Sequence, residues 1–150
     1  MELIINGDPQ EYTDFIKTHR KGHFLQTLEW SGVKENWDNM YFLIKDGRQI
    51  KGAGNILIRN IPFLNKNLMY CPRGPVLDFA DQEVLRFFTN QMKGLVRRYN
   101  AIVLKIDPDI MAADPEVTSA LDYAGFIRKS GGLNFDGIQP RFVSRLDISG

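Results

Sequence analysis

The chain has 150 residues, of which 43% are hydrophobic and 25% are charged. A chain of this length buries roughly 68–70% of the surface that its unfolded form exposes, which is enough for one self-supporting domain. Nineteen Lys and Arg residues against eighteen Asp and Glu residues leave a net charge of +1. The composition excludes a disordered tail, a collagen-like fibre and a coiled coil, and a nucleic acid or anionic lipid partner would need a local basic patch.

The cellular setting is indicated by three negative features. The single cysteine, Cys71, excludes an intramolecular disulfide framework and favours a reducing compartment. The N-terminus lacks the basic segment and the long apolar run of a signal peptide. No stretch approaches 18 uninterrupted apolar residues, so we expect no membrane span. These features predict a soluble cytoplasmic domain.

Two helices are predicted early in the chain, after a short strand at Glu2 to Ile5. Asp8-Pro9 supplies an N-cap and a proline at the first helical position, and this helix runs to Lys21, before Gly22. A second helix is predicted from about Leu28 to Asn36. One of its faces carries four residues at positions i, i+3, i+4 and i+7, namely Trp30, Val33, Lys34 and Trp37.

Three strands follow, and a rigid turn ends the third. Asn39 to Lys45 and Gln49 to Arg59 flank Asp46-Gly47, which is a strong short-range signal for a hairpin. Asn67 to Cys71 is the third strand. It stops at Pro72-Arg73-Gly74-Pro75, because each proline fixes its own backbone angle and restricts the residue before it.

The second half of the chain alternates strands and helices. A long helix is predicted over Asp81 to Tyr99, because its apolar residues stay on one helical face. Ala101 to Ile106 has the pattern of a buried strand, and a further helix begins at Asp114-Pro115 and ends at Gly125. The last strand candidates are Phe126 to Arg128 and Arg141 to Ile148. The element order predicts a mixed α/β (α+β) domain with a partly antiparallel sheet, and nothing inside residues 1–150 marks a domain boundary.

A glycine-containing segment, Gln49-Ile50-Lys51-Gly52-Ala53-Gly54, matches the pyrophosphate loop of acetyl-CoA-dependent N-acetyltransferases. Such a loop needs a strand before it and a helix after it, so that backbone N–H groups converge on phosphate at a helix N-terminus. Here the segment follows a hairpin turn and continues into Asn55 to Ile58, which is strand-like. Glycines within a strand are therefore the favoured interpretation.

Three other features have simple structural interpretations. His19 and His23 stand four residues apart, as zinc ligands on a helix do, but Gly22 lies between them and no third ligand is indicated nearby, so a solvated helix end is favoured. Cys71 has no histidine close in sequence, and a buried small side chain is favoured over a nucleophile. Arg97-Arg98 is most simply a solvated helix face.

Two residues keep open interpretations when they are considered alone. Asp107 follows the strand Ala101 to Ile106 at its carboxyl end, where open α/β sheets often bind ligands. It either acts as an acid, base or substrate-orienting group, or it begins an Asp-Pro turn. Lys34 stands beside Trp30 and Trp37 on an otherwise apolar face. Its side chain either extends to solvent or meets an anion such as phosphate.

Four motifs, in family order over nearly the whole chain, resemble those of the FemABX peptidoglycan aminoacyltransferases. They are Phe24-Leu25-Gln26-Thr27-Leu28-Glu29-Trp30 with Val33-Lys34-Glu35-Asn36-Trp37, Cys71-Pro72-Arg73-Gly74-Pro75-Val76-Leu77-Asp78, Val103-Leu104-Lys105-Ile106-Asp107-Pro108-Asp109, and Gly137-Ile138-Gln139-Pro140-Arg141 with Leu146-Asp147-Ile148. The resemblance implies two tandem domains of N-acetyltransferase-like (GNAT-like) fold. Residues 1–150 would be the first of them, with the second absent.

The activity that the resemblance implies is transfer of an amino acid from aminoacyl-tRNA to the peptide of a peptidoglycan precursor, either UDP-MurNAc-pentapeptide or lipid II. The product is the interpeptide bridge. No cofactor is implied, since aminoacyl-tRNA is a co-substrate, bound mainly through the second domain, and acetyl-CoA is not used. We expect the first domain alone to be inactive, in the cytoplasm or at the membrane periphery. The alternatives are an acyl-CoA-dependent acyltransferase of the same fold and a non-catalytic muropeptide-binding module.

The resemblance also assigns roles to individual residues. Asp107 matches an aspartate of the acceptor site, where it would position the substrate or act as an acid or base. Lys34 matches the lysine that contacts the precursor's diphosphate, and Arg73 and Trp37 are further substrate-binding candidates, although core packing is the simpler role for Trp37. A substrate-contacting tyrosine of the family falls at Ile102. Ile102 cannot make that hydrogen bond, so the acceptor contact there must differ or lie elsewhere.

Overall fold

The computed structural model describes residues 1–111 and 114–128. Its strands form one mixed sheet of order β1-β2-β3-β4-β6, with β5 paired to β3. This arrangement confirms the predicted mixed α/β fold class. The elements in chain order are β1 (Glu2–Ile5), α1 (Pro9–Thr18), a 3₁₀ turn (Phe24–Gln26), α2 (Leu28–Val33), β2 (Asp38–Asp46), β3 (Gln49–Ile61), β4 (Lys66–Cys71), β5 (Val76–Leu77), α3 (Gln82–Arg98), β6 (Ala101–Ile106) and α4 (Pro115–Tyr123).

The pairing of neighbouring strands changes once across the described sheet, from antiparallel to parallel. Neighbouring strands from β1 to β4 run antiparallel, and the β2–β3 hairpin turns at Gly47, whose φ of +57° suits glycine. The hairpin predicted from Asp46-Gly47 is therefore confirmed. In contrast, β4 and β6 pair in parallel. The carboxyl ends of β4 and β6 consequently meet at the same edge of the sheet.

Alternate residues of the strands supply two apolar layers, one on each face of the sheet. On one face, Phe42 of β2 stacks on Phe88 of α3, with 5.8 Å between ring centroids, in the larger buried cluster. On the other face, Leu43 packs with Tyr12 and Ile16 of α1. The helices therefore cover both faces of the sheet.

Both helices of the second half begin as predicted. Asp81 caps α3 by accepting hydrogen bonds from the N–H groups of Glu83 and Val84, each at 3.1 Å. The predicted apolar face of α3 is buried, and Asp114 caps α4 in the same way, with proline next in sequence. The local signals for these two helices are sufficient because capping and periodicity act over a few residues.

The segment Gln49–Gly54 lies inside strand β3, which confirms that its glycines belong to a strand. Gly52 pairs with Leu77 of β5, and a Cβ atom at Gly52 would lie 2.8 Å from the Leu77 Cβ. A Cβ atom at Gly54 would lie 2.7 Å from the ring of Phe42. Close packing against β5 and an aromatic ring therefore explains these glycines, and no phosphate loop forms here.

The first two helices are shorter than predicted. Helix α1 ends at Thr18 instead of Lys21, and α2 ends at Val33 instead of Asn36. Gly32 and the β-branched Val33 are poor helix formers, and the N–H of Lys34 already bonds three residues back. The predicted apolar face is also wrong at Val33, whose surface is 65% exposed. Tight i→i+3 turns, not helix, follow α2.

The prediction of a buried strand at Ala101–Ile106 is wrong in part. Ile102 and Val103 are 56% and 40% exposed. Among the described residues β6 pairs only with β4, and the pairing register shifts where Asn67 and Leu68 meet Ala101 and Val103, so Ile102 is left over as a bulge. The bulge, and the lack of a second strand partner within residues 1–111 and 114–128, account for this exposure, and neither can be inferred from an apolar run.

The strand predicted at Phe126–Arg128 is wrong within the described residues. The N–H of Phe126 bonds to the carbonyl of Leu121 at 3.0 Å, and its ring stacks on Phe88. The segment therefore terminates helix α4 and packs Phe126 against the core. The strand predicted at Arg141–Ile148 and the fourth motif, which starts at Gly137, lie outside the described residues.

Gly54→Ala tests the packing account of the β3 glycines. The new methyl group meets the Phe42 ring, and we expect the free energy of unfolding to fall by about 1–3 kcal/mol in urea denaturation. The control is Gly94→Ala on α3, where nothing lies within 4 Å of the added Cβ. This control should be stabilised by about 0.4–1 kcal/mol. Equal effects at both positions would contradict the account.

Candidate functional site

A fully buried glutamine, Gln26, joins three separate segments of the fold. Its Nε2 donates to the carbonyl oxygen of Pro72 at 2.5 Å, and its Oε1 accepts from the N–H of Asn55 at 2.8 Å. Its own carbonyl oxygen accepts from the hydroxyl of Tyr12 at 2.6 Å. The 3₁₀ turn is thereby fixed to β3, to α1 and to the turn after β4.

The network continues from Gln26 to helix α2. Asn55 donates from Nδ2 to the Ser31 hydroxyl at 2.5 Å and to the Thr27 carbonyl at 3.1 Å. Thr27 caps the helix, since its hydroxyl accepts from the N–H of Trp30. Asn55 is itself fully buried. The short helix, and Lys34 after it, are therefore placed by buried hydrogen bonds instead of by helix propensity.

The turn after β4 fits against Gln26 only because residue 74 is glycine. A Cβ atom at Gly74 would lie 2.6 Å from the Gln26 Cδ. The neighbouring Arg73 has a φ of +50°, in the left-handed region that most side chains avoid. This local strain is held by the buried contacts on either side. It fixes where Arg73 stands at the edge of the sheet.

Arg73 and Asp107 meet at the carboxyl edge of the parallel strands. The N–H of Asp107 donates to the carbonyl of Gly74 at 3.2 Å, which ties the end of β6 to the turn after β4. Arg73 Nε lies 3.9 Å from Asp107 Oδ2. The structure thus brings together two of the site residues that the sequence predicts.

The carboxyl group of Asp107 is partly desolvated, since its side chain is only 35% exposed. Burial raises the pKa of Asp107 above its ordinary value, while Arg73, Tyr70 and, more weakly, His23 lower it. Burial is the largest of these effects. A carboxyl group with a raised pKa, next to a cation at a sheet edge, is suited to accept a proton or to orient an ammonium group.

A second group of predicted residues surrounds an open pocket of about 310 Å³ after α2. Lys34 Nζ lies 5.0 Å from the ring centroid of Trp30. Arg59 of β3 places its guanidinium carbon 5.6 Å from the ring centroid of Trp37. Glu35 also lines the pocket. Two cations held on aromatic rings make this surface suitable for an anion.

Arg59 is the site residue that sequence reasoning missed. It lies near the end of a long strand and belongs to none of the four motifs. Its contact with Trp37 is made across the β2–β3 pairing, so local periodicity carries no sign of it. The Asp38–Ile58 pair in that register brings the start of β2 beside Arg59.

Ile102 belongs to neither group. It lies at the bulge of β6, five residues before Asp107, which corresponds to about 16 Å along a strand. Trp37 is half-buried at the pocket, so it forms a wall there and is not in the core. The roles of Lys34, Trp37, Arg73, Ile102 and Asp107 in substrate binding or catalysis stay predictions.

The remaining chemical candidates have structural uses. His19 and His23 each accept a backbone N–H at Nδ1, from Lys21 and Leu25, both at 3.1 Å. Cys71 is fully buried, and burial raises the pKa of its thiol to about 12, which confirms the prediction of a buried small side chain.

Residues 1–111 and 114–128 contain no group of three or more His, Cys, Asp or Glu residues that could hold a metal ion. Across that same part of the chain, none of the helices combines the length and the apolar character that crossing a membrane requires.

Comparison with known proteins explains why these motifs occur together. The sequence profile of the FemAB family matches residues 8–147. The chain belongs to the FemAB family. The lipid II:glycine glycyltransferase of Staphylococcus epidermidis is 34% identical over 144 residues, which cover 93% of this chain and 35% of that protein. The chain therefore spans about a third of the length of this curated relative.

Solved structures agree with the family assignment. The crystal structure of FemX superimposes with a TM-score of 0.84 at 29% identity, covering 94% of this chain and 36% of FemX. A probable acetyltransferase superimposes with a TM-score of 0.60 at 10% identity, covering 93% of this chain and 99% of that one. The second likeness concerns the fold alone, and it confirms the predicted GNAT-like architecture.

Asp107→Asn tests the desolvation of the carboxyl group. The pKa of Asp107 is raised above 3.8, so the native state favours the protonated form, and stability is lost as the pH rises through the folded-state pKa. The asparagine variant should therefore be more stable than the parent chain at about pH 7. The difference should vanish at about pH 3, as measured by urea denaturation.

The matched control for this prediction is Arg73→Gln. Because Arg73 favours the charged carboxylate, its loss should destabilise the parent chain at about pH 7 and have less effect in the Asp107→Asn background. An asparagine variant less stable than the parent at about pH 7 would show that the ion pair outweighs burial.

Proposed function

We propose that this chain is part of an aminoacyltransferase that transfers an amino acid from aminoacyl-tRNA to the peptide of a peptidoglycan precursor. The observation that carries the proposal is Asp107, desolvated beside Arg73 at the carboxyl edge of β4 and β6, in a chain of the FemAB family. The named activity of the similar staphylococcal proteins, glycine transfer involving lipid II, supports this reaction class.

Lys34 and Arg59 would bind the diphosphate of the precursor. Their side chains line one open pocket, and each is held on an aromatic ring. An ammonium and a guanidinium group together match two adjacent phosphates, because Lys acts as a point charge and Arg donates in a plane.

Asp107 would receive the acceptor amine of the peptide. At neutral pH that amine is an ammonium ion, which must lose a proton before it can attack. A carboxylate with a raised pKa accepts this proton more readily than an ordinary one, and Arg73 stabilises the carboxylate that is needed beforehand. Orientation of the amine by the same carboxylate adds a proximity effect.

The transfer step forms one bond and breaks another. The amine nitrogen forms a bond to the carbonyl carbon of the aminoacyl ester, and the bond from that carbon to the ribose oxygen of the tRNA breaks. The nitrogen loses a proton, and the departing ribose oxygen gains one. Residues of this chain would supply position and charge for the step.

The donor side of the reaction would lie outside the described residues. The chain spans about a third of the length of the similar staphylococcal protein. We propose that residues 1–150 form the precursor-binding side of a two-domain cleft, and that aminoacyl-tRNA is bound mainly by the second domain. On this account the region alone binds the precursor and has little or no transferase activity.

Lys34→Ala should weaken binding of UDP-MurNAc-pentapeptide by about tenfold or more, because one charge-assisted contact to the diphosphate is lost. Isothermal titration calorimetry measures this. Lys34→Arg should retain most of the affinity, and Lys93→Ala, a change at an exposed lysine of α3, should retain all of it. Unchanged affinity in Lys34→Ala would show that the pocket does not bind the diphosphate of the precursor.

The 150-residue chain should show no transfer above background when it is supplied with charged tRNA and precursor. Radiolabelled glycine on the muropeptide, separated by chromatography, measures the product. Precursor binding by the same preparation is the control for folding. Robust transfer by this region alone would contradict the two-domain account.

A further inference from the structure

The turn between β3 and β4 exposes two large apolar side chains. Phe63 is 105% exposed and Leu64 is 60% exposed. The backbone of Phe63 has a φ of +69°, in the left-handed region that bulky residues rarely adopt. Phe63 therefore adds strain to the turn and no burial to the core, so its presence there calls for a partner outside the fold.

The base of this turn is tied to the end of helix α3. Asn100 donates from Nδ2 to the carbonyl of Asn65 at 2.7 Å and accepts at Oδ1 from Lys66 Nζ at 2.5 Å. Asn67 donates from Nδ2 to the carbonyl of Tyr99 at 2.7 Å. These bonds hold the last turn of α3 beside the apolar tip.

The segments that meet at the base of this turn are basic. The two segments that meet here, residues 57–68 and 95–101, contain four basic residues and no acidic one, and the four are Arg59, Lys66, Arg97 and Arg98. Arg59 also lines the candidate pocket together with Glu35, and Asp38 pairs with the neighbouring Ile58, so these two acidic residues stand on the Arg59 side. This is a local basic patch in a chain whose net charge is only +1.

We propose that the β3–β4 turn docks on an anionic lipid bilayer, with Phe63 and Leu64 inserted and the basic residues against the headgroups. An apolar tip next to basic segments is typical of interfacial membrane binding, where both buried apolar area and attraction to anionic lipid contribute. Another protein surface would also cover the apolar pair, but the four basic residues and the lack of acidic ones in the adjoining segments favour an anionic bilayer.

The geometry also connects this surface to the candidate pocket, a step that rests on the proposed function. Arg59 lies two residues before the end of β3, about 7 Å along the strand from Ile61. With the tip inserted roughly 5–10 Å into the interface, Arg59 would stand at the depth of the headgroups. A lipid-linked diphosphate is anchored at that depth. Docking would thus select a membrane-bound acceptor over a soluble one.

Cosedimentation with vesicles tests the proposal. The 150-residue chain should bind vesicles of equimolar phosphatidylcholine and phosphatidylglycerol, and it should bind pure phosphatidylcholine far less. Phe63→Asn with Leu64→Ser should reduce binding to the anionic vesicles by at least about tenfold, because the inserted area is lost. Asparagine tolerates the left-handed backbone, so this variant should keep the fold, which circular dichroism checks.

A matched control changes exposed apolar residues elsewhere. Tyr123 and Ile127 are 97% and 95% exposed near the end of α4, and their replacement by serine should leave vesicle binding unchanged. A dye attached at Phe63→Cys should shift its emission to the blue with vesicles, while the native cysteine, being buried, stays unlabelled. No binding by the parent chain, or binding that survives the tip variant, overturns the proposal.

Failure of the membrane surface and failure of the proposed function would give different results in these experiments. The tip variant should still bind UDP-MurNAc-pentapeptide, which has no lipid. If the parent chain binds the precursor but does not bind vesicles, the membrane surface is contradicted and the proposed function is not. Intact vesicle binding with no precursor binding supports the membrane surface and contradicts the proposed function.

Discussion

One buried side chain, Gln26, sets the position of most of what surrounds the candidate site. A buried amide that loses its partners costs about 1–3 kcal/mol, so its hydrogen bonds act as strict geometric conditions. Its side-chain amide accepts a hydrogen bond from the N–H of Asn55 on β3 and donates one to the carbonyl of Pro72 after β4. A shift of any one segment would leave a buried polar group unpaired. The hydrogen bonds therefore fix the relative positions of these segments, whereas apolar packing alone would let them slide past one another.

Hydrogen bonds connect this glutamine to both halves of the candidate site. Through Asn55 and Thr27 the network reaches α2, and it places Lys34. Through Pro72 and Gly74 it reaches the Arg73–Asp107 pair. The supporting residues are buried and polar, while the charged groups that would meet substrate are partly exposed. Rigid support beneath accessible charges is what positional catalysis requires.

Local signals in the sequence predict the elements that depend on local physics. Asp46-Gly47 predicts its hairpin, and the caps at Asp81 and Asp114 predict the starts of two helices. Periodicity predicts the wrong end for α2 because buried hydrogen bonds hold that helix in place. The exposure of Ile102 depends on which strands pair, and the place of Arg59 depends on cross-strand register. Contacts between distant segments carry no periodic trace in a single sequence.

The parallel pairing of β4 with β6 among the described strands has a consequence for folding. Neighbouring strands from β1 to β4 pair in antiparallel orientation. In contrast, β6 pairs with β4 in parallel, and the connection between them includes helix α3. Arg73 and Asp107, 34 positions apart in the sequence, therefore meet only after that long loop closes. The Arg73–Asp107 ion pair is therefore expected to form late in folding, so that a partly folded chain would hold part of the sheet without this pair.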